Sequence, residues 1–384
     1  MRGDMATILD LPGGNVKNSG SFAPLGRRQV LRGGLGLVGL TLAGGVLSSC
    51  ANGEKSSSPG DSGSASGPIV MVNYPDWIGK TEVADFKAAT GIEVREVTGL
   101  TEGGSASQAA QLARNKGQYD MALAGNVLAK TLDLGGLIQK VDFANIPNRA
   151  KVDKQFLDQY QWGIPVEYGK LGIAYRTDLL PEPPHSWAEM FDMAPRLSGK
   201  FTFPDYDVDV MSMALLALGD DINTADPAQI TAAKEKLIAV KPYLKAFLAT
   251  DAAKPLIEGS VVMAALHDYD MPAAMKANDK IAWIAPSEGL PAYLDGWVAL
   301  AGTSKTASIE KFMNFHLEPK VYAAFINNTG AAFLMPDAEP FIDPEILNNP
   351  ALALNPAVKL QWQQFIDESG VKLRNAAWDA VKAA

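Results

Sequence analysis

The sequence has little of three things that would point to a redox, metal or nucleic-acid function. It holds one cysteine among 384 residues, which excludes an internal disulfide, so the folded part must be held together by its core. Its three histidines, His185, His267 and His316, lack the spacing of a helical metal site, so we expect neither a metal nor another cofactor. It has no excess of basic residues, which disfavours nucleic acid and anionic lipid headgroups as partners.

Catalytic signals are also missing. His267, Asp268 and Asp270 stand close together in the sequence and could be interpreted as metal ligands, but the other two histidines lie far from them. No nucleophile–base pair and no phosphate-binding loop follows a predicted strand. We therefore expect a protein that binds a ligand and is not an enzyme.

What the chain does have is an excess of negative charge, with 43 acidic and 34 basic residues. Residues 1–49 hold five of the basic and two of the acidic residues, so the part from Cys50 onward carries 29 and 41, a net charge of −12. Such a field favours cationic ligands. Acidity that serves solubility alone is the alternative.

A segment near the N-terminus is typical of an export signal. It begins with the twin arginine Arg27-Arg28, continues with an apolar run at residues 33–46 and ends in Leu47-Ser48-Ser49-Cys50. The run is too short to span a bilayer core, which needs about 20 residues. Its ending resembles the lipobox of bacterial lipoproteins, in which the cysteine is lipidated and becomes the new N-terminus. We therefore predict a signal peptide at 1–49 and an extracytoplasmic protein anchored to the bacterial cell membrane by a lipid on Cys50; a buried thiol is the alternative.

The next segment, residues 50–67, is rich in glycine and serine and predicts a flexible tether. Beyond it, strand-like and helix-like patterns alternate, as in α/β folds with largely parallel sheets. Predicted strands lie at 69–72, 92–97, 119–124, 137–141, 171–175, 201–203, 261–266, 281–284 and 297–300. The clearest predicted helices lie between Thr81 and Gly91 and at 105–115, 126–134, 211–218, 226–240, 309–315, 320–327 and 360–383.

Several motifs, in order from about residue 70 to 380, resemble the polyamine-binding proteins of ABC importers, the spermidine/putrescine type of bacterial extracellular solute-binding protein. They are Phe86-x-x-x-x-Gly91-Ile92-x-Val94, the run 137–142, Ile164-Pro165-x-x-Tyr168-Gly169, the runs 186–189 and 197–200, Asn223-Thr224-x-Asp226-Pro227, the run 288–296 and Trp362-Gln363. Each motif is weak by itself, and the ordered set carries the resemblance.

The resemblance implies a two-lobed α/β fold of the periplasmic-binding-protein type II class, whose lobes close on a ligand around hinge crossovers. It implies a first lobe at 69–172 and 296–338 and a second lobe at 173–295 and 339–384. It also implies a monomer that captures a polyamine and delivers it to ABC permease and ATPase subunits. The alternatives are the same fold with a different small solute, a lipid-anchored interaction protein without a transport role, and, more remotely, a lipoprotein hydrolase.

A polyamine carries ammonium groups separated by methylenes, so its site needs carboxylates for the charges and aromatic faces for the methylenes. The resemblance implies ligand contacts from acids, aromatic residues and late polar groups. These are Asp76, Asp209, Asp295, Tyr74, Trp77, Tyr206, Tyr293, His267 and Gln363.

Each predicted acid also has a purely structural interpretation. Asp295 could be a turn residue before Gly296, Asp76 could form an Asx turn after Pro75, and Asp209 could cap a helix.

This chain departs from the family pattern at several pocket positions. His267 stands where a tryptophan is usual, Ala331 and Val127 replace tyrosines, Gly125 replaces a serine and Tyr206 replaces an acid. A further cation, Lys170, lies in the crossover segment, where it could oppose an amine, pair with Glu167 or face solvent. Each of these departures concerns the predicted ligand site and not the predicted fold.

Overall fold

Strands and helices alternate along the chain in the computed structural model, which describes residues 67–99, 104–353 and 357–384. The predicted signal peptide, Cys50 and the tether up to residue 66 lie outside the described residues. The strands are β1 (Ile69–Asn73), β2 (Val94–Thr98), β3 (Met121–Gly125), β4 (Ile138–Gln139), β5 (Gly163–Arg176), β6 (Phe201–Pro204), β7 (Ala246–Leu248), β8 (Met263–His267), β9 (Ile281–Ile284), β10 (Leu290–Leu300) and β11 (Leu360–Trp362).

The helices follow the strands in most of the described chain. They are α1 (Glu82–Thr90), α2 (Gly104–Arg114), α3 (Asn126–Leu134), α4 (Lys154–Leu157), α5 (Trp187–Asp192), α6 (Asp207–Leu218), α7 (Pro227–Val240), α8 (Lys254–Ile257), α9 (Met271–Ala277), α10 (Thr306–His316), α11 (Pro319–Thr329), α12 (Pro344–Leu347) and α13 (Glu368–Ala383). None of the helices in the described ranges combines the length and apolar character that a membrane crossing requires.

Helix ends follow the sequence signals. Gly91 ends α1 with a φ of 74°, a left-handed conformation that glycine adopts without a Cβ clash, and its N–H donates to the Lys87 carbonyl. At the start of α7, the Asp226 carboxylate accepts from the backbone N–H of Ala228, and Pro227 occupies the first turn, where its missing N–H costs nothing. Local chemistry therefore sets these boundaries.

The strands pair in the order β2-β1-β3-β10-β5-β8-β6-β7, with β4 and β11 on β10 and β9 on β5. The pairs β1–β2, β1–β3, β6–β7 and β6–β8 are parallel, whereas β10 runs antiparallel to both β3 and β5. The long strand β5 pairs with β10 over its first half and with β8 and β9 over its second half. It therefore connects the two ends of the strand order.

The β5–β10 pair contains a register shift between Asp295 and Gly296. Asp295 lies opposite Glu167 and Gly296 lies opposite Pro165, so Val166 is the extra residue of a bulge. Proline has no N–H for the ladder, and a bulge is one of the few places where an inner strand accepts it. The bulge brings two acidic side chains to facing positions.

Two large apolar cores flank this strand pair. The first core includes Phe86, Leu123, Trp297 and Phe312, and the second includes Trp187, Phe203, Met211, Leu237 and Trp378. A smaller third cluster lies around Leu256, Leu266 and Met271. Burial of these side chains contributes about 1.5–3 kcal/mol each, and in a chain with one cysteine this is the main source of stability.

The C-terminal part differs from the sequence-based expectation in two ways. The predicted helix at 360–383 was wrong in its first turns, because Leu360–Trp362 pairs with β10 and the helix begins only after Asp367, whose carboxylate accepts from the Gly370 N–H. In addition, Ile342, Ile346 and Leu352 pack in the first core, although residues from 339 onward were expected in the second lobe. The other lobe boundaries stay a prediction.

Candidate functional site

A cavity of about 480 Å³ is lined by side chains from the elements of both large cores. Eight of the nine residues that the sequence nominated for ligand binding line this cavity. They are Tyr74, Trp77, Tyr206, Asp209, His267, Tyr293, Asp295 and Gln363. The structure thus collects residues from widely separated parts of the chain into one site, and their role as ligand contacts stays a prediction.

Asp76 is the exception. Its side chain is exposed and does not line the cavity. It has a φ of 60°, a left-handed conformation that aspartate tolerates better than most residues, and its carbonyl accepts from the Asn328 side chain. The structure therefore places Asp76 in a surface turn outside the cavity, whereas the sequence had nominated it as a cavity acid.

Asp295 lines the cavity from the bulged part of β10. Its partner across β3 is Gly125, and a Cβ at that position would lie 2.8 Å from Asp295 Oδ1. The glycine that replaces the family's serine therefore makes room for the Asp295 carboxylate. The turn interpretation of Asp295 is wrong, because the residue lies within the strand.

Glu167, which the sequence did not nominate, lies opposite Asp295 on β5. Its side chain is fully buried, and its carboxyl group interacts with the Asp295 carboxyl and with the indole N–H of Trp77. Sequence reasoning missed Glu167 because an acid inside a strand gives no motif; only the strand register places it behind the cavity wall.

The environment of these two acids favours their protonated forms. Burial raises the pKa of Glu167 well above its usual range, and the charge of Asp295 raises it further. Burial also raises the pKa of Asp295, although its interaction with Glu167 and the positive charge of His267 oppose the shift. Directly opposed cross-strand side chains have Cβ atoms about 5 Å apart, so two buried carboxylates here would repel strongly. These effects favour a state in which one proton lies between the two acids over a state with two carboxylates.

On the facing side of the cavity, Asp209 already has partners. Its carboxylate lies 2.9 Å from His267 Nε2 and accepts from the Gln363 side chain at 3.0 Å. Asp209 is the third residue of α6, and Tyr206 occupies the N-cap position, so the capping interpretation of Asp209 is wrong. This acid is neutralised by the protein itself.

The protonation of His267 follows from that contact. Burial by itself would lower the pKa of His267, but the charge of Asp209 and its hydrogen bond outweigh burial and raise the pKa. The other ring nitrogen, Nδ1, lies 3.2 Å from the Tyr269 hydroxyl. Contact with Asp209 thus favours the protonated form of His267, at a position where the family that the sequence resembles carries a tryptophan.

Aromatic rings form much of the remaining wall. His267 stacks on Tyr269 with ring centres 5.0 Å apart, Tyr269 meets the edge of Trp77 at 5.1 Å, and Tyr293 meets His267 at 5.8 Å. Tyr74 lines the same cavity, and its hydroxyl accepts from Gln108 at 2.7 Å. Ring faces attract ammonium groups by about 0.5–2 kcal/mol each and pack against methylenes, so this wall suits an aliphatic amine.

Further lining residues were not expected from the sequence. Asp207 begins α6, and burial raises its pKa to about 6. Asn126 donates from its side chain to the Gln363 carbonyl and ties α3 to the segment after β11. Tyr269 and Gln108 also line the cavity. Their residue types are common in many environments, and nothing in their local sequence marks them.

Lys170, whose orientation the sequence left open, does not face the cavity. Its side chain is 2% exposed, and Nζ lies 3.3 Å from Asp268 Oδ2 and 3.2 Å from the Leu352 carbonyl. It also lies over the ring of Tyr168. Asp268 and not Glu167 is its acidic partner, so the cation does not oppose an amine in the cavity.

A second glycine shapes the aromatic wall. A Cβ at Gly169 would lie 2.1 Å from the ring of Tyr293, its partner across β10. Only glycine allows this close approach. Ala331, by contrast, is fully buried and is not among the residues that line the cavity, whereas Gly125 and Val127 are.

Comparison with known proteins relates this chain to transport proteins. The sequence profile of a family described as bacterial extracellular solute-binding protein matches residues 82–353. The spermidine/putrescine-binding periplasmic protein of Salmonella typhimurium is 24% identical over 309 residues, which cover 78% of this chain and 88% of that protein. The putrescine/cadaverine-binding protein of Pseudomonas aeruginosa is 25% identical over 333 residues, which cover 82% and 93%.

A solved structure of a protein of the same type is also similar to this fold. The spermidine/putrescine ABC transporter substrate-binding protein of Streptococcus pneumoniae superimposes with a TM-score of 0.70 at 20% identity, covering 83% of this chain and 99% of that one. This likeness confirms the predicted two-lobed α/β fold of the periplasmic-binding-protein class.

Proposed function

The chain belongs to the bacterial extracellular solute-binding protein family, and from this membership we propose that it is the substrate-binding component of an ABC importer for a polyamine such as putrescine or spermidine. The relatives bear the names of spermidine- and putrescine-binding proteins and align over three quarters or more of this chain. We further propose that the eight nominated residues of the cavity contact the ligand.

One observation carries the proposal: a single cavity joins Asp295, a half-buried acid that forms no ion pair with the described residues, to aromatic rings. Asp295 supplies a carboxylate for an ammonium group, and Trp77 and Tyr293 supply faces and edges for the adjoining methylenes. An ammonium group removed from water needs such an acid, because its desolvation would otherwise cost several kcal/mol. Asp295 is the natural anchor, since it forms no ion pair within the described chain, whereas the carboxylate of Asp209 already lies 2.9 Å from His267.

Ligand capture would work by closure of two lobes around the cavity. The strands β5 and β10 run from the first core toward the second, so a small rotation about them changes the gap between the cavity walls. A ligand that contacts both walls favours the closed form, which the permease then recognises. A micromolar dissociation constant corresponds to about −8 kcal/mol, which two charge-assisted contacts and ring packing can supply.

The direct test is calorimetric titration of the purified full-length chain with putrescine, cadaverine and spermidine. Saturable binding of at least one of them, with a stoichiometry near one, is the expected result. An absence of heat with all three, together with no shift in melting temperature, would reject a polyamine ligand.

A different small solute is the second candidate, and the Asp209–His267 contact favours it. Because the protein already neutralises Asp209, a ligand with a single cationic end that meets Asp295 would leave no charge unpaired. A thermal-shift screen of monoamines, diamines and amino acids separates the two. A larger shift with monoamines than with diamines would select this second candidate.

We also propose that the protein is exported and held at the outer face of the cell membrane by a lipid on Cys50. The twin arginine and the lipobox-like ending support this. A tether keeps the binding protein near its permease and so raises its local concentration there. Membrane fractionation with mass spectrometry of the mature N-terminus is the test: Cys50→Ala should release the protein, and an unmodified Cys50 in the membrane fraction would contradict the lipid anchor.

A further inference from the structure

The acid pair at the cavity wall, with Asp295 lining the cavity and Glu167 behind it, has a consequence for ligand capture. We propose that Glu167 acts as a positioning residue which holds a proton against Asp295 in the empty protein, and that an ammonium ligand displaces this proton when it binds. This inference rests on the proposed function, because it concerns a cation at Asp295. Glu167 does not line the cavity, but it would control the charge of Asp295, which does.

The geometry of the pair carries the inference. Asp295 and Glu167 are directly opposed on β10 and β5, and Gly125 leaves space for the Asp295 carboxylate to turn toward the cavity. Glu167 is fully buried, and its carboxyl group interacts with that of Asp295. A second carboxylate in such a position is strongly penalised as long as no cation lies beside the pair, whereas a carboxylic acid is not.

The surrounding charges leave the pair without a cation of its own. The acids that face it are Asp268 and Asp209, and both already have cationic partners: Lys170 at 3.3 Å for Asp268 and His267 at 2.9 Å for Asp209. Six tyrosine hydroxyls also interact with the pair, and burial raises the pKa of each above its usual range, so they stay neutral. A bound ammonium group would therefore be the first unpaired cation to reach Asp295.

The exchange balances simply. In the empty protein, the pair carries one negative charge and one proton. An ammonium group that donates to Asp295 supplies positive charge at the same place, which lowers the pKa of both acids, and the proton leaves for the solvent. Since binding releases a proton, the affinity must rise with pH, by up to about tenfold per pH unit while the empty pair is protonated.

The test is calorimetry of the full-length chain with putrescine at pH 7 in phosphate and in Tris, two buffers with very different ionisation enthalpies. The difference in heat gives the number of protons released per ligand. We expect about one for the wild type. Glu167→Gln should bring this number close to zero, because the amide cannot titrate and its N–H group can donate to the Asp295 carboxylate.

The matched control is Glu82→Gln. Glu82 is also a buried acid, but it does not line the cavity, and its carboxylate lies 2.7 Å from His316 Nδ1. The variant should therefore release as many protons as the wild type. If Glu167→Gln does not fold, the wild type still decides the matter through the pH dependence of its dissociation constant between pH 6 and 8, where alkyl ammonium groups stay charged.

The outcomes separate this inference from the proposed function. Saturable binding with equal heats in both buffers, or an affinity that does not change with pH, would overturn the proton exchange and leave polyamine binding intact. Equal proton release by the wild type and Glu167→Gln would assign the proton to another group, such as His267, and would also overturn it. An absence of binding by putrescine and spermidine at every pH would overturn the proposed function itself.

Discussion

Strand β5 carries two buried charged residues three positions apart, and the protein treats them in opposite ways. Lys170 has an acidic partner, Asp268, at 3.3 Å, and a carbonyl at 3.2 Å. Glu167 faces a second acid, Asp295, across β10. Side chains three apart on a strand point to opposite faces, so Glu167 and Lys170 cannot neutralise each other.

The difference separates stability from function. Lys170 and Asp268 are both buried and their charges are paired, as expected for a contact whose role is to hold β5 against the turn after β8. The Glu167–Asp295 region borders the cavity and lacks a cation, so it is less stable than an apolar replacement would be. Proteins keep such unpaired groups where a ligand completes them. The predictions that follow test this contrast, from the largest expected effect to the smallest.

Lys170→Met should destabilise the protein by about 3–5 kcal/mol, because it leaves the fully buried Asp268 without its cation. Denaturant unfolding of the ligand-free protein measures this change. The control is Lys276→Met, which breaks an exposed contact with Glu345 of 2.7 Å and should leave the unfolding midpoint unchanged. If Lys170→Met lowers the free energy of unfolding no more than the control does, the Lys170–Asp268 pair has no structural role.

Asp295→Ala should weaken polyamine binding by about 30- to 1000-fold, equivalent to about 2–5 kcal/mol, because a desolvated ammonium group loses its acid. Calorimetric titration gives the ratio of dissociation constants. Asp76→Ala removes an acid that lies on the surface and should bind like the wild type. Similar losses in both variants would show that general acidity, and not the cavity, attracts the ligand.

Glu167→Gln should stabilise the ligand-free protein more at pH 8 than at pH 5. Burial raises the pKa of Glu167 in the folded state above its unfolded value, so its contribution to stability is complete below the unfolded pKa and is lost as the pH rises through the folded pKa. The amide does not titrate and avoids that loss. We expect the difference in melting temperature between variant and wild type to grow by on the order of 2–4 °C from pH 5 to pH 8. A difference independent of pH would mean that folding does not raise the pKa of Glu167 above its unfolded value.

Gly125→Ala should reduce affinity by only about fivefold. Its Cβ would lie 2.8 Å from Asp295 Oδ1, so the carboxylate must shift, and overpacking at a flexible side-chain end costs about 1 kcal/mol. Gly99→Ala is the matched control, since a Cβ at Gly99 would meet nothing within 4 Å. Equal affinities for both variants would indicate that Asp295 has more freedom than its contact with Gly125 suggests.

Sequence patterns predicted much of the fold, because most elements carry local signals. Gly91 and Asp226 mark helix ends by their own backbone and capping chemistry, and both were found where expected. The long strands β5 and β10 were predicted only in part, at 171–175 and 297–300. The remaining parts were missed because local propensity disfavours proline and charge inside a strand. Strand β5 contains Pro165, Glu167 and Lys170, and strand β10 contains Asp295.

The sequence by itself predicted an export signal, the alternation of strands and helices, and which residue types could contact an amine. These depend on local composition, spacing and resemblance to a family. The tertiary structure alone decided that Asp76 faces solvent, that His267 neutralises Asp209, and that Glu167 lies against Asp295. Those outcomes depend on strand register and burial, because a charge has no fixed cost until its neighbours and its access to water are known.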